Sequence, residues 1–153
     1  MNSISILRIT DKSIIPYSLL LQADPSIDSI KEYVHSGFIY GAYVNGTIIG
    51  IYILLKTRPF TLELMNISID ESYQGKGIGK QLIFNAIEES RKLKAKTLEV
   101  GTGNSSIDQL ALYQKCGFRI NYIDKDYFKK YYEEPIYENG IQCTDMIRLS
   151  MDL

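Results

Sequence analysis

The sequence predicts a mixed α/β fold (α+β in its segregation of elements), with three layers and a central sheet. Three observations predict it. An isoleucine-rich run of strand-sized segments fills the first half and turns at Asn45-Gly46. After Gly79 the apolar spacing changes from that of a strand to that of a helix. From there strand-sized and helix-sized segments alternate, a pattern that lays helices on a sheet.

The elements follow in chain order. Ile4, Ile6 and Arg8–Ile9 open with alternation and predict a first strand. Ser13 to Gln22 and Ser26 to His35 predict two short helices, with Pro16 in the first turn of one, where its missing N–H costs little. Phe38 to Val44 predicts a strand, Asn45-Gly46 a tight hairpin, and Thr47 to Lys56 the returning strand. Arg58-Pro59 breaks it, and Thr61 to Ile69 predicts the next strand. Leu82, Ile83, Ala86 and Ile87 share one helical face, with Glu88, Glu89, Arg91 and Lys92 on the wet side. Thr97 to Val100 predicts a short strand. Ser106 and Gln109 stand at capping-box spacing before a helix that ends at Cys116-Gly117. Phe118 to Ile123 predicts a strand, Asp124 to Gly140 is polar and tyrosine-rich, and Cys143 to Met151 alternates as a last strand.

With 153 residues the chain has the size of one domain, expected to span residues 1–153. Apolar residues at 45% and charged residues at 23% suit a globular core. The net charge of −1 lacks the basic surplus of a general nucleic-acid binder, so no nucleic-acid partner is expected. The longest apolar run, Ile48 to Leu55, is strand-sized, and no membrane partner is expected. Met1 to Thr10 lacks the pattern of a secretory leader. The two cysteines, Cys116 and Cys143, make no disulfide framework. These features predict a cytoplasmic protein with reduced thiols.

Chemistry concentrates in Ile69-Asp70-Glu71-Ser72-Tyr73-Gln74-Gly75-Lys76-Gly77-Ile78-Gly79-Lys80, where a strand runs through three alternate glycines into a helix. Glycines admit a ligand close to the backbone, and helix N-terminal amides lack intrahelical partners and carry the positive end of the dipole. Together they suit a phosphate group. The spacing excludes two phosphate loops. A Walker loop would need a glycine where Gln74 stands and a serine or threonine where Gln81 stands. A dinucleotide fingerprint would need glycine at Lys80.

The spacing it does fit is Gln/Arg-x-x-Gly-x-Gly/Ala, as Gln74-x-x-Gly77-x-Gly79. A second signature follows, Ala111-Leu112-Tyr113-Gln114-Lys115-Cys116-Gly117-Phe118. With both in order, separated by a helix and a strand, the sequence resembles the GCN5-related N-acetyltransferase (GNAT) superfamily over roughly Ile4 to Met151. The resemblance implies a mixed sheet of about seven strands with helices on both faces, and acetyl-coenzyme A as cosubstrate without a metal. It implies that the backbone of Ile67, Ser68 and Ile69 pairs with the pantetheine arm. It implies that the turn from Gln74 through Gly75, Lys76, Gly77, Ile78 and Gly79 to Lys80 cradles the pyrophosphate. The next strand, Thr97 to Val100, is expected to splay from its neighbour, and Tyr113 to lie near the sulfur. The family often has an asparagine where this chain has Ser106, with Asn104 close by; either is a coenzyme A contact.

The implied reaction carries acetyl from the thioester to a primary amine in a ternary complex. An amine of pKa ~10 is mostly protonated at neutral pH, so a group must take its proton. Glu63, eleven residues before Gln74, matches the offset of a glutamate in histone-type members of the family. It is equally a solvated strand residue on the sequence alone; Asn66, Asp126, Glu133 and Glu134 compete. Tyr113 is the candidate acid for the leaving thiolate, or a tyrosine packed on the sheet.

The remaining candidates weigh less. His35 is the single histidine, and without a Cys/His cluster it reads as a surface or capping residue. Tyr127, Phe128, Tyr131, Tyr132 and Tyr137 make either an aromatic, acidic wall for a cationic acceptor or a surface loop or dimer contact. A homodimer through the last strand or the tyrosine loop is open. The expected acceptor is a small-molecule or peptide amine. The competing function is an acyl-coenzyme A-binding sensor or interaction domain without catalysis.

Overall fold

The computed structural model describes residues 3–153. Four antiparallel strands lead: β1 (Ser5–Ile9), β2 (Phe38–Val44), β3 (Thr47–Arg58) and β4 (Thr61–Ile69). β5 (Thr97–Gly103) joins parallel to β4, β9 (Met146–Asp152) lies antiparallel beyond it, and β6 (Arg119–Asp124) closes the far edge. The seven-stranded order is β1-β2-β3-β4-β5-β9-β6, and β7 (Ile136–Glu138) with β8 (Ile141–Cys143) forms a separate hairpin. The helices are α1 (Tyr17–Ala23), α2 (Ile27–Ser36), α3 (Ile78–Lys92), α4 (Ile107–Lys115) and α5 (Tyr127–Tyr131).

Helices cover both faces, which explains why β3 reads as an unbroken apolar run rather than an alternation. Tyr52 and Leu54 point to the core beneath α3 and α4, with Leu82, Ile83, Ala86, Ile87 and Tyr113. Ile51 and Ile53 point to the opposite core beneath α1 and α2, with Leu19, Leu20, Ile30 and Val34. Each fully buried aliphatic side chain contributes roughly 1.5–3 kcal/mol. The hairpin turns at Asn45 and Gly46 with φ of 50° and 79°, the left-handed pair a tight two-residue turn requires.

Two irregularities shape the centre of the sheet. Between β3 and β4 the register steps from Leu54 opposite Leu64 to Ile53 opposite Asn66, leaving Met65 as an extra residue. Between β4 and β5 pairing covers Thr61–Leu64 with Thr97–Val100 and stops there, although both strands continue. The splay expected along Thr97 to Val100 is therefore not found there; it begins only at Gly101. Those four residues are the paired ones, and the slot opens along Gly101–Gly103.

Several local expectations need correction. Ser13 to Gln22 is not one helix. A 3-10 turn at Lys12–Ile14, capped by Asp11, precedes α1, and Pro16 stands at the N-cap rather than inside the first turn. Ile15 before the proline is extended, as proline forces its predecessor to be, and that breaks the helix. The capping box is not formed. Ser106 Oγ donates to Glu138 Oε1 at 2.9 Å and Gln109 donates to the Tyr113 hydroxyl instead. A capping box would have Ser106 Oγ accept from the Gln109 amide; here the hydroxyl is turned to the Glu138 carboxylate brought up by β7 and accepts from no helix amide. Cys143 to Met151 is not one strand, because Asn104 Oδ1 accepts from the amides of Thr144 and Asp145 and pins a corner between β8 and β9. The tyrosine-rich segment contains α5 and β7. Because β9 lies inside the sheet, a dimer that extends the sheet through the last strand is excluded; the edges are β1 and β6.

Candidate active site

The glycine turn is braced from within. Asp70 accepts from the Ser72 amide at 2.9 Å, and its own amide donates to Ile49 O at 2.8 Å. Gln74 Nε2 donates to Ile69 O at 2.9 Å, so this side chain ties the turn to the end of β4. Gly75 and Gly77 take φ of 75° and 79°, and a Cβ at either would meet no protein atom within 4 Å. Gly77 is the N-cap of α3, and the first intrahelical donor is the Gln81 amide. The amides of Ile78, Gly79 and Lys80 therefore stand without intrahelical partners beside open space. Lys76 and Lys80 flank them, each near an aromatic ring, Tyr73 and Phe84.

β4 leads from this turn to the slot. Ile67 and Ile69 pack towards the α3 core, while the Ser68 hydroxyl donates to Gln22 of α1 at 3.3 Å. One edge of this stretch pairs with β3, and past Leu64 the edge towards β5 has no strand partner. Such an edge can take an extended, amide-bearing chain.

Tyr113 sits at the other side of the slot. It is buried in the α3–α4 core, edge-on to Phe118 at 5.8 Å. Its hydroxyl accepts from Gln109 Nε2 at 3.2 Å, which leaves the phenolic proton free to donate. Burial pushes its pKa up, so the group stays protonated. Asn104 and Ser106, the two residues expected as candidates for a coenzyme A contact, are both engaged inside the chain. Asn104 donates to Gln142 O and accepts twice from the β8–β9 corner, whereas Ser106 makes one bond, to exposed Glu138.

Glu63 is neither solvated nor alone. It lies on β4 opposite Leu55 of β3 and Glu99 of β5. Arg148 of β9 reaches across to it, Nη1 to Oε2 at 3.0 Å, with side-chain exposures of only 20% and 16%. The guanidinium passes over Gly101, its own partner in register, where a Cβ would come 3.2 Å from Nη1 and 2.6 Å from Met146 Sδ. Gly101 thus clears the path for this pair. Burial raises the Glu63 pKa, and Arg148 works against that without cancelling it. Arg148 also lies 5.8 Å over the Tyr127 ring of α5. Sequence reasoning missed Arg148; its one signal is a lone charge between Ile147 and Leu149 in an apolar strand.

A cleft of about 850 Å³ opens on the α1–α2 face beside Glu63. Leu55 and Met65 line it from the sheet, Tyr33, Glu32 and His35 from α2, Asp24 from the α1–α2 turn, and Tyr127 and Tyr132 from the far side. The predicted aromatic wall is therefore half realised: Tyr131 and Tyr137 are largely exposed at 68% and 66%. Among the rival bases, Glu133, Glu134 and Asp126 are exposed; Asn66 Nδ2 donates to Leu20 O at 3.0 Å and to Tyr33 Oη at 2.9 Å, and its buried Oδ1, without a partner, belongs to a neutral amide that takes no proton near neutral pH. His35 is exposed in the last turn of α2. Both cysteines are buried and free. Among the described residues no group of three or more His, Cys, Asp or Glu could hold a metal ion, and no helix is long and apolar enough to cross a membrane.

Residues 8–118 match the Acetyltransferase (GNAT) family. The N-acetyltransferase YvbK of Bacillus subtilis (strain 168), itself described as uncharacterised, is 58% identical over 137 residues, which is 90% of this chain and 88% of the relative. An IAA acetyltransferase from Bacillus cereus ATCC 14579 is 59% identical and superposes with a TM-score of 0.95 over 99% of this chain and 100% of that one. A GNAT family acetyltransferase from Elizabethkingia anophelis, crystallised with acetyl-CoA bound, is 50% identical with a TM-score of 0.95 over 98% of each chain. With residues 8–118 matching the family and relatives this similar over nearly the whole chain, the chain belongs to the GNAT acetyltransferase family and is an acyltransferase.

Proposed function

We propose that this enzyme moves an acetyl group from acetyl-CoA to a primary amine of a small molecule or peptide, by direct attack in a ternary complex. The observation that carries the reading is Glu63, a largely buried carboxylate held by Arg148 at the seam of β4 and β5 and paired across strands with Leu55, which lines the cleft. Three features fit acetyl-CoA as cosubstrate: open space at two left-handed glycines, helix amides without partners, and the unpaired edge of β4. Acetyl-CoA supplies the acetyl group as an activated thioester.

In this reading the amides from Gly75 to Lys80 hold the pyrophosphate, with Lys76 and Lys80 adding charge. Gln74 fixes the shape of the turn. The backbone of Ile67, Ser68 and Ile69 holds the pantetheine arm. Of the two alternative contacts, Ser106 is favoured, because its hydroxyl can exchange one exposed partner for the cosubstrate while Asn104 is committed to the chain. Glu63 takes the proton from the acceptor amine, and the Tyr113 hydroxyl donates towards the departing sulfur. Holding both reactants in one cleft supplies on the order of 7–11 kcal/mol in favourable cases.

A raised Glu63 pKa means the ionised, proton-accepting form is lost at a higher pH than for a free glutamate. The acid limb of kcat/KM is therefore expected at a higher pH than an unperturbed glutamate would give. An amine panel with thiol detection of released coenzyme A, run across pH on the native enzyme and Glu63→Gln, tests this. The variant should lose about 10²-fold or more in rate and lose that limb. An unchanged profile removes Glu63 from the mechanism. Acetyl-CoA binding without turnover of any acceptor would favour a non-catalytic sensor.

A further inference from the structure

Resting on the reading that the acceptor is an amine, we propose that the cleft holds a second cation subsite built on Asp24, and that the acceptor is a small diamine whose distal ammonium docks there. The Asp24 carboxylate accepts from three donors, all neutral: the Tyr33 hydroxyl at 3.1 Å, the Tyr132 hydroxyl at 2.9 Å and the Ser26 amide at 3.0 Å. Among the described residues no basic side chain comes within 4.0 Å of it. Glu63, behind the Leu55 floor, is answered by Arg148. Asp24 is held rigidly, and its charge is left over.

The donors stay neutral. Burial, and then the charge of Asp24 itself, push the Tyr132 hydroxyl far up, and burial does the same to Tyr33. Neutral hydroxyls orient a carboxylate without discharging it, so its attraction for a cation persists. The surroundings suit an ammonium. The rings of Tyr33, Tyr127 and Tyr132 line the same cleft, and aromatic faces attract cations. On the α2 rim Lys31 and Glu32 offset each other, which leaves Asp24 to set the sign.

The geometry between the two carboxylates suits methylenes. Leu55 and Met65 form an apolar floor, and Leu55 is the cross-strand partner of Glu63, so both share the face beneath the cleft. Tyr127 stands within electrostatic reach of both acids, which each raise its pKa after burial has done so. A chain with an amine at each end can thus span from Glu63 across the floor to Asp24. In the reaction the proximal nitrogen bonds the acetyl carbon as the C–S bond breaks. Its proton passes to Glu63, the thiolate takes a proton, and the distal ammonium is unchanged. The product is mono-acetylated and keeps one charge.

The test measures kcat/KM for α,ω-diaminoalkanes of graded length against n-alkylamines of the same length, with the native enzyme and Asp24→Asn. The native enzyme should favour the diamine by about tenfold or more at its best length, and added salt should shrink that preference. In Asp24→Asn, which removes the charge and keeps an acceptor oxygen, the ratio should fall towards one. Equal efficiency for both series in the native enzyme overturns the subsite while leaving the amine reading intact. Turnover of neither series, with an O-acceptor active, overturns both. A preference that survives in an Asp24→Asn enzyme still stabilised by acetyl-CoA also overturns the subsite. If that variant does not fold, a diamine preference indifferent to salt in the native enzyme does so.

Discussion

The Tyr113 hydroxyl receives one hydrogen bond, from Gln109, and has its own proton to give. Its raised pKa makes it a poor donor of a whole proton and a dependable donor of a hydrogen bond. A thiolate, from a thiol of pKa ~8.5, gains from that bond only as charge develops on sulfur, so the benefit falls in the transition state. Tyr113→Phe keeps the edge-on packing with Phe118 and should lower kcat on the order of 10²-fold while leaving acetyl-CoA affinity nearly unchanged. Full kcat in that variant would make Tyr113 a packing residue; loss of affinity would make it a positioning one. Local geometries were legible where backbone chemistry dictates the residue, as at Gly75 and Gly77 with their left-handed φ. Residue roles were not legible where a partner distant in sequence decides. Glu63 reads as an exposed strand residue until Arg148, 85 positions away, is folded against it.

At the scale of elements, α3 matters most, because its first turn does two tasks. Ile78 and Leu82 anchor it in the core, while the backbone of the same turn stays open towards the space beside Gly75 and Gly77. Gly77→Val puts a β-branched residue at φ of 79° and a side chain into that space. The left-handed conformation alone should cost about 1–2 kcal/mol of stability. The larger effect is expected on binding, with the acetyl-CoA titration signal lost; calorimetry that returns native affinity would move the phosphate site elsewhere. The long elements, β2 to β4 and α3, were readable because each carries enough apolar residues to set a period. α5 and β7, with five and three residues, carry too few, and their placement comes from contacts to the β8–β9 corner and the cleft.

Over the whole molecule, the sheet is two halves joined at a short seam. β1 to β4 form one half and β5, β9 and β6 the other, and the register between them spans four residue pairs, Thr61–Leu64 with Thr97–Val100. The Arg58–Glu99 and Glu63–Arg148 ion pairs cross the same seam, and beyond it the halves diverge. In the proposed complex acetyl-CoA lies along the β4 side of that divergence, with its pyrophosphate on α3 and its thioester between the strands. It would supply backbone partners where the seam has none, and it binds the folded chain alone. Mass action then gives about 2.7 kcal/mol at a concentration of 100 Kd. For a chain of this size each kcal/mol moves Tm by about 2–4 °C, so a rise of roughly 5–11 °C is expected. ATP lacks the pantetheine arm and NAD fits neither the arm nor the glycine spacing, so neither should approach that rise at equal concentration. Equal stabilisation by NAD would show that the glycine turn alone binds the ligand and that the divergence of β4 from β5 plays no part. Hydrogen exchange at Ile67–Ile69 checks the same point locally. Those amides should gain protection with acetyl-CoA, and unchanged exchange there would place the arm off the β4 edge.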